Sequence, residues 1–146
     1  MRILIDADGC PVVDIAVQTA LQNKIECIIL CDTSHVFEKE GARTITVSKG
    51  ADSVDFALVN LIQSGDIVIT QDYGLAAMCL ARNAVTVSQD GRIYDDNNID
   101  GLLLARHNSK KIRMAGGMTK GPSKRTAGQN ICFSNTLKSL IKQNTT

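Results

Sequence analysis

Apolar positions along the chain fall into two rhythms, unbroken aliphatic runs and stripes at helical spacing. Ile3-Leu4-Ile5, Ile25–Leu30, Thr44–Val47, Ile67–Thr70 and Ala84–Val87 are short apolar runs. The first and fourth have no polar side and predict strands covered on both faces. Val13, Ala16, Val17, Ala20 and Leu21 recur at helical spacing and predict a helix from about Pro11 to Asn23. Pro11 suits the first helical position, where its missing N–H is not needed. A second helix opens at Asp52 as its cap, with a stripe of Phe56, Val59, Leu61 and Ile62. A third carries Leu75, Met78, Cys79 and Leu80. Strands alternating with helices imply a parallel sheet with helices on both faces.

Beyond Asp90 the alternation weakens. Asp90-Gly91 reads as a turn, Ile99–Ala105 as a helix, Met114–Gly128 as a loop and Ile131–Lys142 as a final amphipathic helix. No internal repeat or linker divides the 146 residues, so the expectation is one domain over residues 1–146. Its fold class is α/β, three layers with a mostly parallel central sheet.

Charge changes this picture. The net charge is +1, yet all 15 acidic residues lie at or before Asp100. Residues 101–146 carry nine Lys and Arg and no acid. Such asymmetry points to an anionic partner for the basic segment, or to a solvated basic surface offsetting an acidic one. The five cysteines are odd in number, lie mostly in apolar runs and match no zinc spacing. They read as small core residues in a reducing compartment. With no signal segment and no membrane-length apolar run, the expected location is the cytoplasm.

The candidate chemistry lies where apolar runs end in acid. Asp6 follows Ile3–Ile5, and Asp72 follows Ile67–Thr70. Carboxyl ends of strands are where open α/β sheets bind ligands. Asp8 lies two residues past Asp6, while Asp52 and Asp55 share a helix face. If these acids converge, their mutual repulsion calls for a divalent cation, Mg²⁺ or Mn²⁺ by the hardness of the ligands. Such an ion polarises a phosphoryl oxygen and acidifies a bound water. Taken singly, Asp8, Asp52 and Asp72 are equally well placed as helix caps. His35 and His107 read as packing and surface residues.

Asp6-Ala7-Asp8-Gly9-Cys10-Pro11-Val12, Gly50-Ala51-Asp52 with Asp55, and Gly65–Asp72 resemble the signature blocks of the bacterial YaiI/YqxD family, also called UPF0178. Arg106, Arg113, Gly116-Gly117 and Gly121-Pro122 are similar to its later blocks, so the likeness spans nearly the whole chain. Gln129-Asn130 stands where that family usually has Asp-Arg. The family has no established activity, but its fold resembles the PIN-like nucleases, which use strand-end acids to bind Mg²⁺ or Mn²⁺ and hydrolyse RNA. The resemblance implies a PIN-like domain in which Asp6 matches the first acid, Asp52 or Asp55 the helical acid, and Asp72 the acid of a Thr-x-Asp motif. As a nuclease it would hold a first metal on Asp6, Asp55 and Asp72, and a second ion or its waters on Asp8 and Asp52. The resemblance also implies RNA, ahead of DNA, as substrate. Arg106, Lys110, Lys111, Arg113, Lys120, Lys124 and Arg125 would grip phosphates without reading sequence. With five Phe and Tyr and no Trp, stacking platforms are scarce.

Two other readings fit the same residues. A haloacid-dehalogenase-like phosphatase would use Asp6 as nucleophile and Asp8 for the proton, with Thr33 or Ser34 and Lys49 on phosphate. Against it, Gly65-Asp66 precedes its strand instead of following one. A non-catalytic nucleic-acid or protein-binding module would use the acids only as caps.

Overall fold

A computed structural model describes residues 1–116 and 124–144. Six strands, β1 (Ile3–Asp6), β2 (Cys27–Asp32), β3 (Arg43–Val47), β4 (Ile67–Ile69), β5 (Val85–Val87) and β6 (Ile93–Tyr94), form one sheet in the order β3-β2-β1-β4-β5-β6. All pairings are parallel except β5 with β6, which is antiparallel. The helices are α1 (Val13–Gln22), α2 (Ser53–Leu61), α3 (Tyr73–Ala81), α4 (Ile99–Met114) and α5 (Ala127–Asn144).

Strand alternation sorts the core into two layers. Ile3 and Ile5 face one way, packing with Val13, Ala16 and Val17 of α1 and Phe133 and Leu137 of α5. Leu4 points the other way, into a cluster with Leu58 of α2 and Leu75 and Cys79 of α3. This is the period-two geometry of a strand buried on both sides. Helix α4 lies outside α3, where Ile99 joins Ala76 and Tyr94. The three-layer, mostly parallel α/β arrangement thus follows from the apolar runs.

Several boundaries move. Pro11 sits in a turn, and α1 starts at Val13, because the Cys10 N–H is already turned back onto the Ala7 carbonyl. Gly9, inside that turn, has φ +73°, a left-handed value that glycine adopts without strain. Asp52 stands at the start of α2, but in a left-handed conformation and with no side-chain cap hydrogen bond. Phe56 leaves the expected buried stripe and is 61% exposed; Leu58 supplies the buried position instead. Helix α4 runs well past Ala105, and α5 begins four residues before Ile131. The expected loop Met114–Gly128 is thereby shortened at both ends, and residues 117–123 within it lie outside the described residues. Cys27, Cys31 and Cys79 are buried as expected, whereas Cys10 is half-buried and Cys132 exposed. Among the described residues, no helix is long and apolar enough to cross a membrane.

Candidate functional site

Strand β1 lies between β2 and β4, so the chain winds outward through β2 and β3 and then returns to the other flank of β1. That reversal opens a crevice at the carboxyl ends of β1 and β4. Asp6 closes β1, and Thr70-Gln71-Asp72 follows β4. The expected adjacency of these two acid-ended strands is present, with Ile5 in register with Ile69.

Thr70 ties the two acids together. Its hydroxyl donates to Asp6 Oδ2 at 2.7 Å and its Oγ1 accepts from the Asp72 N–H at 3.0 Å. The Thr70 carbonyl in turn accepts from the Tyr94 hydroxyl at 3.3 Å, so the short strand β6 braces this corner. Asp72 Oδ1 accepts from the Leu75 N–H at 3.2 Å and faces Arg106 Nη1 at 3.3 Å. Its capping role is therefore real, and its carboxylate also borders the crevice. Asp55 approaches from the first turn of α2.

Two of these carboxyls, Asp6 and Asp55, are pushed up by burial and by acidic neighbours. Burial pushes the Asp6 carboxyl above its ordinary range, opposed by the Thr70 hydrogen bond and reinforced by the charges of Asp72 and Asp8. Burial, then the charges of Asp72, Asp6 and Asp52, push Asp55 up to about 6, with Arg106 opposing. A repelled, partly desolvated carboxyl set is stabilised by protons or by a cation. An oxygen-only donor set suits a hard divalent ion that keeps some of its waters.

Asp8 turns elsewhere. Its Oδ1 lies 2.7 Å from His35 Nδ1 and its Oδ2 accepts from the Asp32 N–H at 3.0 Å. Among the described residues, Asp8, Asp32 and His35 form the group whose potential ligand atoms all lie within 4.8 Å of one another. This nitrogen-containing set differs from the expected Asp6, Asp55 and Asp72. Asp8 also lines a cavity of about 30 Å³ with Asp6, Cys10, Thr70 and Gln89, room for one or two waters. Asp52 instead lines a cleft of about 370 Å³ with Asp55, Asp72 and Arg106. The expected site residues thus line two cavities, Asp6 with Asp8, and Asp55 with Asp52 and Asp72. Asp32 and His35 were legible only as the carboxyl end of the strand next to β1.

The basic residues divide as well. Arg106, Lys110 and Lys111 are exposed on α4, which also carries Arg113. Lys124 is exposed near the start of α5. Arg125 is held inside the fold, paired with Asp90 at 2.6 Å and donating to the Gln89 carbonyl and Asn130 Oδ1. Lys120, Gly117 and Gly121-Pro122 lie outside the described residues. Asp66, at the amino end of β4 and away from the crevice, is a structural acid: it is 2% exposed and paired with Arg2 at 2.7 Å.

The fold and site define a mostly parallel α/β protein with an acidic crevice at its switch point. Residues 4–143 match the family described as "Uncharacterized BCR, YaiI/YqxD family", and the chain belongs to it. It is 50% identical over 145 residues to a UPF0178 protein of Exiguobacterium sibiricum, covering 99% of each chain. A UPF0178 protein of Clostridium acetobutylicum is 44% identical over 97% of each. Among solved structures, Rae1 (YacP) from Bacillus subtilis (W164L mutant) aligns over 80% of this chain and 84% of its own, with TM-score 0.47 and 14% identity.

Proposed function

We propose that the chain is a divalent-cation-dependent nuclease of PIN-like type that hydrolyses phosphodiester bonds, RNA ahead of DNA. The observation that carries this reading is that Asp6 and Asp72 end neighbouring strands and are bridged by the Thr70 hydroxyl. Three elements, β1, α2 and the β4–α3 junction, carry Asp6, Asp55 and Asp72, and the charge of Asp72 contributes to the upward shift of both Asp6 and Asp55. In this reading Asp6, Asp55 and Asp72 hold Mg²⁺ or Mn²⁺, and Asp8 and Asp52 stand behind them on either flank. The bound cation supplies Lewis-acid polarisation of the phosphoryl group and acidification of water. The chain's own residues do the positioning. The Thr70 hydroxyl donates to the Asp6 carboxylate and accepts from the Asp72 backbone N–H, fixing both. Arg106 stands beside Asp72 at the cleft, where a substrate phosphate can exchange for the carboxylate as its partner. Exposed Lys110, Lys111 and Lys124 extend the positive surface along and beyond α4, and Arg113 and Lys120 belong to the proposed set. Arg125 contributes by holding the Gln89–Asp90 turn near the crevice.

The test is labelled single-stranded RNA incubated with Mn²⁺ and either the parent chain or Asp6→Asn. Cleavage that requires Mn²⁺ and drops at least about a hundredfold in the variant is the expected result, as for loss of a group that positions the cation. Equal cleavage by both proteins, or none by either with Mn²⁺ failing to bind, overturns the nuclease reading. A phosphoenzyme trapped at Asp6 by a phosphomonoester would move the assignment to the phosphatase reading.

A further inference from the structure

The cleft beside the acids has a second character that the hydrolytic reading leaves unused. Its polar rim is Asp55, Asp72 and Arg106, but its walls include Phe56, Leu75 and Met78. Leu75 is fully buried, Met78 is 38% exposed and Phe56 is 61% exposed. The chain has three Phe, and Phe133, by contrast, is completely buried. Phe56 follows Asp55 directly and is four residues after Asp52, so the ring stands over the same end of α2 as the acids. At about 370 Å³ the cleft falls within the range of small-molecule sites. An apolar floor with an open aromatic, joined to a charged rim, matches the two halves of a nucleotide.

We infer that this cleft is a nucleobase subsite, in which an unpaired base of a nucleic-acid strand lies against Phe56 and Met78 while the adjoining phosphate reaches Arg106 and the cation-binding carboxylates. Stacking on an aromatic face is tolerant of base identity, because every base offers a π-face. A duplex keeps its bases stacked on one another, so the cleft selects unpaired strands. The acidic rim disfavours the phosphate unless a cation intervenes, and leaves the uncharged base unopposed. The placement of the phosphate rests on the nuclease reading; the stacking of the base does not.

The sequence contains no Trp, so Phe56→Trp creates a lone fluorescent reporter in the full chain. It is titrated in Mg²⁺ with a hydrolysis-resistant phosphorothioate heptauridylate, and with an abasic strand of equal length and charge. Saturable quenching by the heptauridylate and none by the abasic strand is the expected result. A deoxythymidylate arm separates ribose from deoxyribose strands, and quenching by either supports the base subsite. In parallel, Phe56→Ala is expected to weaken heptauridylate binding about tenfold, the scale of one lost stacking contact, and to leave abasic binding unchanged. Phe56→Leu, which keeps the apolar bulk without the π-face, should fall on the weakened side. The inference is overturned if the parent binds both strands equally, or if folded Phe56→Ala binds heptauridylate as tightly as the parent. Failure of Mn²⁺-dependent cleavage with quenching intact would sink the nuclease reading and leave the base subsite standing, so the two failures are distinguishable.

Discussion

Asp55 carries the clearest consequence at the scale of a single residue. Its carboxyl is held at about 6 by burial and by the charges of Asp72, Asp6 and Asp52. A group raised in the folded state stabilises the fold below its unfolded pKa and loses that contribution as pH rises through the folded value. For Asp55 the window runs from about pH 4, the ordinary Asp range, to about pH 6. Denaturant titrations without divalent ions should therefore show stability falling across this window, and Asp55→Asn should flatten the decline. The variant should melt higher than the parent at pH 7.5 without metal, and should lose the rise in Tm that Mn²⁺ gives the parent. Protons and the cation compete for the same oxygens, so the Mn²⁺-induced rise should also shrink as pH falls through 6. A parent whose Tm ignores Mn²⁺ at every pH would contradict this account. Asp6 and Asp72 were legible in the sequence because they end apolar runs, and Asp55 because it shares a helix face with Asp52. The partnership of Asp8 with Asp32 and His35 was not, since it depends on β1 and β2 lying side by side in parallel register. The exposure of Phe56 was hidden for a similar reason: helical spacing alone does not say which edge of a stripe faces the sheet.

Among the elements, α5 shows where pattern reading loses ground. Its apolar stripe becomes regular only at Ile131, but its first turn is set earlier by a reciprocal pair of hydrogen bonds. The Thr126 N–H donates to Gln129 Oε1 at 2.8 Å, and the Gln129 N–H donates to Thr126 Oγ1 at 3.3 Å. This is a capping box, a signal present in the sequence as Thr-x-x-Gln. Thr126→Ala should destabilise the protein by about 1 kcal/mol, measured by urea denaturation, and Thr126→Ser by much less. Gln129 and Asn130 both have structural roles here. Gln129 completes the cap and Asn130 Oδ1 accepts from Arg125 Nε at 2.7 Å. Packing of the same helix constrains Gly91: a Cβ there would sit 2.9 Å from the Cys132 carbonyl oxygen, with φ at +86°. The two-residue strand β6 escaped notice because it is too short for any periodicity, yet its Tyr94 supports Thr70. The short β4, by contrast, was readable because all three of its residues are completely buried.

At the scale of the whole molecule, the segregation of charge matters more than its total. All acids precede residue 101, and the crevice gathers several of them beneath a helix that carries exposed Arg106, Lys110 and Lys111. Such a surface binds a polyanion largely by releasing its counterions, so affinity should fall steeply with salt. For single-stranded RNA each neutralised phosphate contributes about 0.7 to the slope of log K against log salt. Replacing Lys110 and Lys111 together with Ala should therefore lower the magnitude of that slope by about 1.4 if each meets one phosphate. Both side chains are exposed, so the double variant should keep the parent's Tm within about 1 °C, as surface substitutions usually do. Arg125→Ala is the informative contrast. Its guanidinium is already engaged by Asp90, Asn130 and the Gln89 carbonyl, so its loss should lower Tm while leaving the salt slope nearly unchanged. Filter-binding or anisotropy titrations of one RNA strand across a salt series measure all three proteins on one scale. An unchanged slope in the lysine double variant would mean that α4 does not lie along the strand, and the anionic partner would have to meet the basic segment elsewhere.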